Sequence, residues 1–350
     1  MVRARCVSRS PSNGFMKHLR MLSRRVSMDD IARHLGLSRS TVSFVINDRS
    51  DIRISEETKR RVWDAVAELG YRPHAAARSL ASSRTNLLGL VTDIASSPFA
   101  GGIISGAQRA AWERGQVLLI VSLDSDSAAD TAMLEMLLER RVEGLIYATA
   151  GHIGVKLPEA AAEVPVVLVH CEDIEGRYPS ILPDEEHGGY TATRRLIDGG
   201  HRRIGLVNLE APYPSAGRRS GYERALREAG IDVEPALILS GPADAGAGFE
   251  LARRMLQAEN PPTALFCGTD RMAMGAFDAV REAGLRIPED VAVVGYDDQK
   301  IVAAYLRPAL TTIALPFEEM GAAAVEALNG DMETFQGSTM RGWLVERDSA

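Results

Sequence analysis

Residues 27–48 read SMDDIARHLGLSRSTVSFVIND, and this stretch decides how the N-terminal part folds. Ser27 can cap a helix whose first turn holds Asp29 and Asp30, where negative charge meets the positive end of the helix dipole. Ile31, Ala32 and Leu35 form its inner stripe, and Gly36 ends it. Ser38 caps a second helix running to about Asn47, with Val42, Val45 and Ile46 toward the first helix and Arg39, Ser40, Ser43 and Phe44 outside. A third helix starts after Ser55, carries Glu56 and Glu57 in its first turn, buries Val62, Val66 and Leu69, and stops at Gly70. Three short helices with a tight turn between the first two make a helix-turn-helix, although a small three-helix packing unit would use the same caps. A recognition helix sets its N-terminal residues against base edges in the major groove, so it needs short polar side chains and Arg outside and apolar residues only inside. Ser38, Arg39, Ser40, Thr41, Ser43, Phe44 and Asn47 are therefore the candidate DNA-binding residues of this segment.

The charge distribution points the same way. The 350 residues carry a formal charge of -7, but residues 1–85 hold 17 Lys and Arg against 8 Asp and Glu, while the remainder holds 23 against 39. A basic head on an acidic body fits a head that meets a polyanion. Residues 1–25, rich in Arg, Ser, Pro and Gly without an apolar period, are expected to be a disordered basic extension, and Met16 and Met21 are alternative starts to Met1. No run reaches the eighteen or so apolar residues of a membrane span, and the polar start lacks the apolar block of a secretory signal, so a cytoplasmic location is expected. Cys6, Cys171 and Cys267 are widely spaced and form no Cys-x-x-Cys pair, which argues against a disulfide framework or a thiolate metal site.

After Arg72 comes RPHAAARSLASSRTN (72–86), a linker with one or two potential helical turns from about His74 to Ala81. So short a helix needs partners to fold. From Leu87 onward, apolar runs alternate with amphipathic helices: LLGLV (87–91), VLLIV (117–121), GLIYA (144–148), VVLV (166–169), RIGLV (203–207), ALIL (236–239), ALFC (264–267) and VAVVGY (291–296). Continuous apolar strands separated by helices mean parallel sheets covered on both faces. A weak internal echo divides the body. LLGLV is followed by GAQRAAWERG at Gly106 and RIGLV by GYERALREAG at Gly221, so the glycines fall 17 and 16 residues after Gly89 and Gly205. The fold class read here is α/β: an all-α head followed by two doubly wound parallel-sheet lobes.

SMDDIARHLGLSRSTVSFVIND, ISEETKRRVWDAVAELGYRPHAAARSLAS, GGHRRIGLV, GRRSGYERAL, DRMAMGA, VAVVGYDD and PALTTI, in that order from about Val26 to Arg347, resemble the lac repressor (LacI/GalR) family. The resemblance implies a periplasmic-binding-protein-like (type I) body and a sequence-specific repressor controlled by a small sugar-like effector. It makes Arg39 and Ser40 the leading base readers and places Phe44 where the family's TVSR pattern has a base-contacting Arg, so relatives' operators do not transfer. It also implies that paired hinges of a homodimer enter the minor groove, with Leu80 as the wedge, Arg78 on phosphate and His74 nearby. The implied domains are 26–72 for the DNA-binding head, 73–86 for hinge and linker, and 87–348 for the effector-binding body. One lobe takes about 87–185 and a returning helix at 314–336; the other takes about 186–313 and 337–348.

Ligands on doubly wound sheets bind beyond the carboxyl ends of the strands. Phe99, His170, Arg218, Thr269 and Asp297 lie just past strand ends and match effector positions of that family, though His170 and Thr269 stand where relatives often have Asp and Asn. An Asp that accepts and an Arg that donates suit vicinal hydroxyls, and an aromatic ring covers the apolar side of a sugar. Plainer roles are a helix cap for Asp297 or Asp298, core packing for Phe99 and a surface charge for Arg218. No catalytic set is found: there is no Walker A loop, His-Glu-x-x-His or Gly-x-Ser-x-Gly, and GPADAGAG near Gly241 is out of register for dinucleotide binding. Neither a cofactor nor a metal is expected. The expected function is therefore that of a regulator of operator DNA, serving a carbohydrate-utilisation operon, and not an enzyme. A transport receptor would share the lobes but lack the head. The absence of a heptad tail favours a dimer over a tail-mediated tetramer.

Overall fold

The computed structural model describes residues 26–47, 52–71, 84–93, 100–122 and 127–350. The expectations for residues 1–25, for His74, Arg78 and Leu80 of the hinge, and for Phe99 lie outside them. The chain forms two compact units, divided between Thr85 and Asn86.

The first unit contains α1 (Met28–Leu35), α2 (Arg39–Ile46) and α3 (Glu56–Leu69). The entry to α1 is a capping box: Asp30 N–H donates to Ser27 Oγ at 3.3 Å, and Ser27 N–H donates to the Asp30 carboxylate at 2.9 Å. Gly36 and Gly70 adopt left-handed φ values of 66° and 65° and close α1 and α3. Ile31, Ala32, Val42, Val45, Ile46, Val62, Ala65 and Tyr71 are buried together. On α3 the inner stripe runs through Val62 and Ala65, so Val66, Leu69 and, on α1, Leu35 sit half-buried at its margin rather than at its centre. The methyl of Ala65, 2% exposed, lies three residues after Val62 on the same buried face.

The second unit runs through β1 (Leu87–Thr92), α4 (Ala100–Glu113), β2 (Val117–Ser122), α5 (Ser127–Glu139), β3 (Leu145–Val155), β4 (Val166–Asp173), β5 (Ser180–Pro183), α6 (Glu185–Asp198), β6 (Ile204–Leu209), α7 (Pro212–Glu228), β7 (Ile238–Gly241), α8 (Ala245–Leu256), β8 (Ala264–Cys267), α9 (Asp270–Glu282), β9 (Ala292–Asp297), α10 (Lys300–Ala303), β10 (Thr311–Ala314), α11 (Phe317–Asn329), β11 (Ser338–Met340) and β12 (Trp343–Val345). The strands make two six-stranded sheets, ordered β11-β5-β4-β3-β1-β2 and β12-β10-β9-β8-β6-β7. All pairings are parallel except β10 with β12. Both faces of each sheet are packed: Val167 and Val169 enter one cluster with Ile103 and Met320, while Val166 and Leu168 enter another with Leu134 and Leu137. That is why the strands read as unbroken apolar runs.

The chain crosses between the sheets more often than its periodicity reveals. α6 packs on α7 and on β9 and β10 of the second sheet, and α11 packs on α4 and β4 of the first. α11 ends at Asn329, short of the expected 336. β11 then joins β5 in the first sheet before β12 pairs with β10 in the second, so residues 337–348 divide between the sheets instead of staying with the second. The strand expected at 236–239 begins two residues later because Pro235 opens a 3₁₀ turn, Pro235–Leu237. The echoed glycines mark close helix crossings: a Cβ on Gly106 would meet the Glu318 carbonyl oxygen at 1.9 Å, and one on Gly221 the Glu186 carbonyl oxygen at 2.0 Å.

Candidate functional site

In the first unit, the expected DNA-reading residues lie along α2 with graded exposure. Ser38, Arg39 and Ser40 are exposed; Thr41, Ser43, Phe44 and Asn47 are half-buried, so Phe44 is less outward than its period implies. Ser38 is committed locally: its Oγ caps α2 through the Thr41 N–H at 3.0 Å and pairs with the Thr41 and Ser40 hydroxyls at 2.8 and 3.0 Å. Asn47 Nδ2 donates to Ser43 Oγ at 3.1 Å. Arg39 makes a 3.6 Å ion pair with Asp29, but both side chains are mostly exposed, where such a pair is weak and easily exchanged for phosphate or a base edge.

In the second unit, the carboxyl ends of the two sheets meet. β3 and β4 extend well past their apolar runs, with a register irregularity between Ala148 and Ile153, and carry His152 and His170 to the junction. His170 is buried with a left-handed φ of 61°, a strained value for a residue other than glycine. Its Nδ1 lies 3.2 Å from the Thr149 carbonyl, which requires Nδ1 to be the protonated nitrogen and leaves Nε2 as an acceptor. Burial lowers its pKa to about 4, so the ring is neutral. Its edge meets Phe317 with centroids 5.2 Å apart.

Arg218, on α7, is 3% exposed. Its Nε donates to Glu185 Oε2 at 2.8 Å and its Nη2 to Glu185 Oε1 at 3.2 Å, a two-pronged carboxylate grip, while Nη1 donates to the Gly268 carbonyl. Asp297 Oδ1 lies 3.7 Å from Nη2, and the guanidinium stacks 3.7 Å above the Tyr296 ring. Arg218 is thus an interior charge, not a surface one. Burial alone would raise the Glu185 carboxyl, but the Arg218 charge overcomes it and holds the carboxyl down at about 2. For Asp297 the balance reverses: burial, only partly offset by Arg218, pushes it up to about 7.

Asp297 and Asp298 have φ values of 106° and 47°, and neither caps α10, whose entry residue Gln299 makes no side-chain cap. Asp298 instead binds Arg347 at 2.6 Å. Thr269 is buried and its hydroxyl caps α9 through the Met272 N–H at 3.1 Å. The adjacent Asp270, fully buried, accepts from Thr312 Oγ1 and the Gln299 N–H, both at 2.6 Å, and burial raises its carboxyl well above the usual range.

The structure thus gathers His170, Arg218 and Asp297, and assigns Thr269 to helix capping. It adds residues that the sequence reading missed: Glu185, one of two acids in the first turn of α6; Phe317, at the start of α11; and His152, with Tyr213. His152 and Tyr213 stack across the junction at 5.1 Å and 20°. The His152 ring nitrogens lie 3.8 Å from Glu172 and 3.9 Å from Glu185 and make no hydrogen bond. A cavity of about 520 Å³ opens beside this cluster, with Asp297, Phe317, Gln299, Gly102 and Trp343 in its wall; Arg218 and His170 stand behind that wall rather than in it. Among the described residues, no group of three or more His, Cys, Asp or Glu could hold a metal, and no helix is long and apolar enough to cross a membrane.

Residues 27–74 match the family described as bacterial regulatory proteins, lacI family, and residues 193–350 match a periplasmic binding protein-like domain. Over 331 residues the chain is 36% identical to the HTH-type transcriptional repressor PurR of Yersinia pestis bv. Antiqua (strain Antiqua), covering 92% of this chain and 96% of that relative. It is similar to the solved lac repressor dimer bound to operator and the anti-inducer ONPF, with a TM-score of 0.74 at 28% identity over 93% of this chain and 99% of that one. The complex of the transcriptional regulator CelR with cellobiose gives a TM-score of 0.66 at 29% identity, covering 93% and 100%.

Proposed function

Because the chain belongs to the lacI family of bacterial regulatory proteins, which are DNA-binding transcriptional regulators, we propose that it is a homodimeric repressor of a near-palindromic operator whose affinity is set by a small sugar-like effector held where the two sheets meet. The observation that carries the DNA-binding reading is the exposed N-terminal end of α2: Arg39 and Ser40 face solvent on a basic head, with their own helix properly capped. Arg39 then reads a base edge, Ser40, Thr41, Ser43, Phe44 and Asn47 complete the face, and Ser38 holds the helix rather than the DNA. Phe44, half-buried, offers an edge to a thymine methyl. In the linker, Leu80 is assigned to wedge between base pairs in the minor groove, with Arg78 and His74 on the backbone.

The effector reading rests on the cavity and its neighbours. Phe317 and Asp297 give it an aromatic plate and a polar wall, and CelR, a structural neighbour, was solved with a neutral disaccharide. A carbohydrate-utilisation operon is the corresponding proposal for the regulated genes. An exposed apolar edge supports the dimer: Trp112 at 78% exposure, with Val117, Ile120 and Met136, lies on or beside the edge strand β2, where a second copy would cover it. For control, the ligand must bind one arrangement of the lobes better than another, because equal affinity for both would shift nothing.

A salt series tests the DNA-binding reading. The affinity of the full chain for duplex DNA should fall with a log–log slope of about −0.9 per neutralised phosphate. A response that is flat in salt would discard it.

A further inference from the structure

The polar groups around Arg218 are unequally committed. Every nitrogen of its guanidinium already donates: Nε and Nη2 to the two oxygens of Glu185, and Nη1 to the Gly268 carbonyl, with Asp297 at 3.7 Å and Tyr296 against the ring face. Its charge is matched by Glu185 and faced by a second carboxyl. Acceptors, by contrast, are left over. His170 Nε2 is left an acceptor by the commitment of Nδ1 to the Thr149 carbonyl, Asn208 Oδ1 at the end of β6 is buried without a donor, Asp297 stands in the cavity wall, and one hydroxyl, Tyr296 Oη, is buried without a hydrogen-bond partner. His152, 9% exposed and stacked on Tyr213, has neither ring nitrogen in a hydrogen bond, with Glu172 and Glu185 at 3.8 and 3.9 Å. The neighbouring cations, Lys300 in the cavity wall and Arg271, are both exposed, where solvent screens them.

We propose that Glu185 is a specificity-determining residue: by closing the Arg218 fork it reserves this site for an uncharged or cationic molecule rich in hydrogen-bond donors, and excludes phosphorylated and carboxylic ones. An anion entering here would have to displace Glu185 from a buried, two-pronged pairing, or reach the one N–H left on each of Nη1 and Nη2 from beside the Asp297 carboxyl, 3.7 Å from Nη2. A hydroxyl- or amine-bearing ring meets the opposite situation, since each leftover acceptor takes one of its donors. The proposal rests on reading this junction as the effector site, and it narrows that effector by charge.

The test uses the full chain and inorganic phosphate and acetate as probes, with binding read by titration calorimetry. Phosphate held by the basic head is common to every variant and cancels. The wild type and the double variant Glu185→Gln/Arg218→Gln should show no further saturable binding. Glu185→Gln, which opens the fork and leaves Asp297, 3.7 Å away, as the nearest counter-charge, should gain a site at least about tenfold tighter than any in the wild type. A role of Glu185 in stability alone would not create an anion site. Wild-type binding of either probe that is lost in Arg218→Gln, or no gain in Glu185→Gln, would overturn the proposal. Should Glu185→Gln not fold, the wild type decides: the side-chain NεH resonance of Arg218, in protein labelled with ¹⁵N-arginine, should stay fixed as phosphate is added, and a saturable shift overturns the idea. A DNA affinity that is flat in the salt series would sink the regulator reading without moving any of these results.

Discussion

Replacing Arg218 by Gln removes the main partner that makes a buried Glu185 carboxylate tolerable. In the wild type that carboxyl is held at about 2 against an ordinary 4.5, a difference of roughly 2.5 pH units, which corresponds to about 3 kcal/mol. Breaking a buried ion pair by removing one member costs about 3–5 kcal/mol, the same size. The sign with pH follows. Because its folded value is depressed, Glu185 contributes stability above pH 4.5 that is lost as pH falls toward 2. In the variant the uncompensated burial that acts on this carboxyl raises its folded value above 4.5, so the charged form is penalised at neutral pH and acidification relieves the penalty. Asp297, already raised to about 7 with Arg218 present, moves further in the same direction. Urea unfolding of the ligand-free chain, followed by circular dichroism at pH 8, 7, 6 and 5, should show a deficit of about 3–5 kcal/mol at pH 7–8 that shrinks steadily toward pH 5. The double variant Arg218→Met/Glu185→Leu, which removes both charges and keeps the volume, should recover most of the loss. A deficit below about 1 kcal/mol, or one unchanged from pH 8 to 5, would refute the buried fork.

Three further outcomes are expected. His170, lowered to about 4 from 6.5, contributes stability above pH 6.5 that is lost as pH falls toward 4, so His170→Gln should remove about 3 kcal/mol of acid sensitivity from the wild-type curve, measured as the difference between the two unfolding profiles. Gly106→Ala drives a methyl into the Glu318 carbonyl at 1.9 Å and should lower the melting temperature by separating α4 from α11, at a cost of about 1–3 kcal/mol, whereas Gly101→Ala on the same helix meets nothing within 4 Å and should not; equal melting temperatures for the two would contradict the close crossing. Arg39→Ala should weaken a preferred duplex by roughly 10- to 100-fold while barely changing affinity for random DNA, as competition binding would show.

What could be read from the chain depended on how local its cause was. The head was legible because its caps, first-turn acids and terminating glycines act within four residues; the depths of Leu35, Ser43, Phe44, Val66 and Leu69 were misjudged, since helix period alone does not say how closely a neighbour packs. The main strands were legible as runs apolar on both faces. β5, β10, β11 and β12 were not, because they are three or four residues long without an unbroken apolar run of four, and gain their pairing from the crossings of the chain. The site was half legible. Arg218 and Asp297 stand beside recognisable motifs, but the residue that defines their electrostatics, Glu185, lies 33 positions from Arg218 and carries no local mark. His152 and Tyr213 meet only because β3 runs past its apolar segment.

The central claim is that the basic head reads DNA sequence as a symmetric pair. Selection of duplexes from a random pool by the full chain, followed by sequencing, tests it directly. The expected result is enrichment of an inverted repeat with two related half-sites, bound about a thousandfold or more tighter than random competitor at physiological salt. Enrichment of no motif, with all duplexes bound alike, would contradict the account.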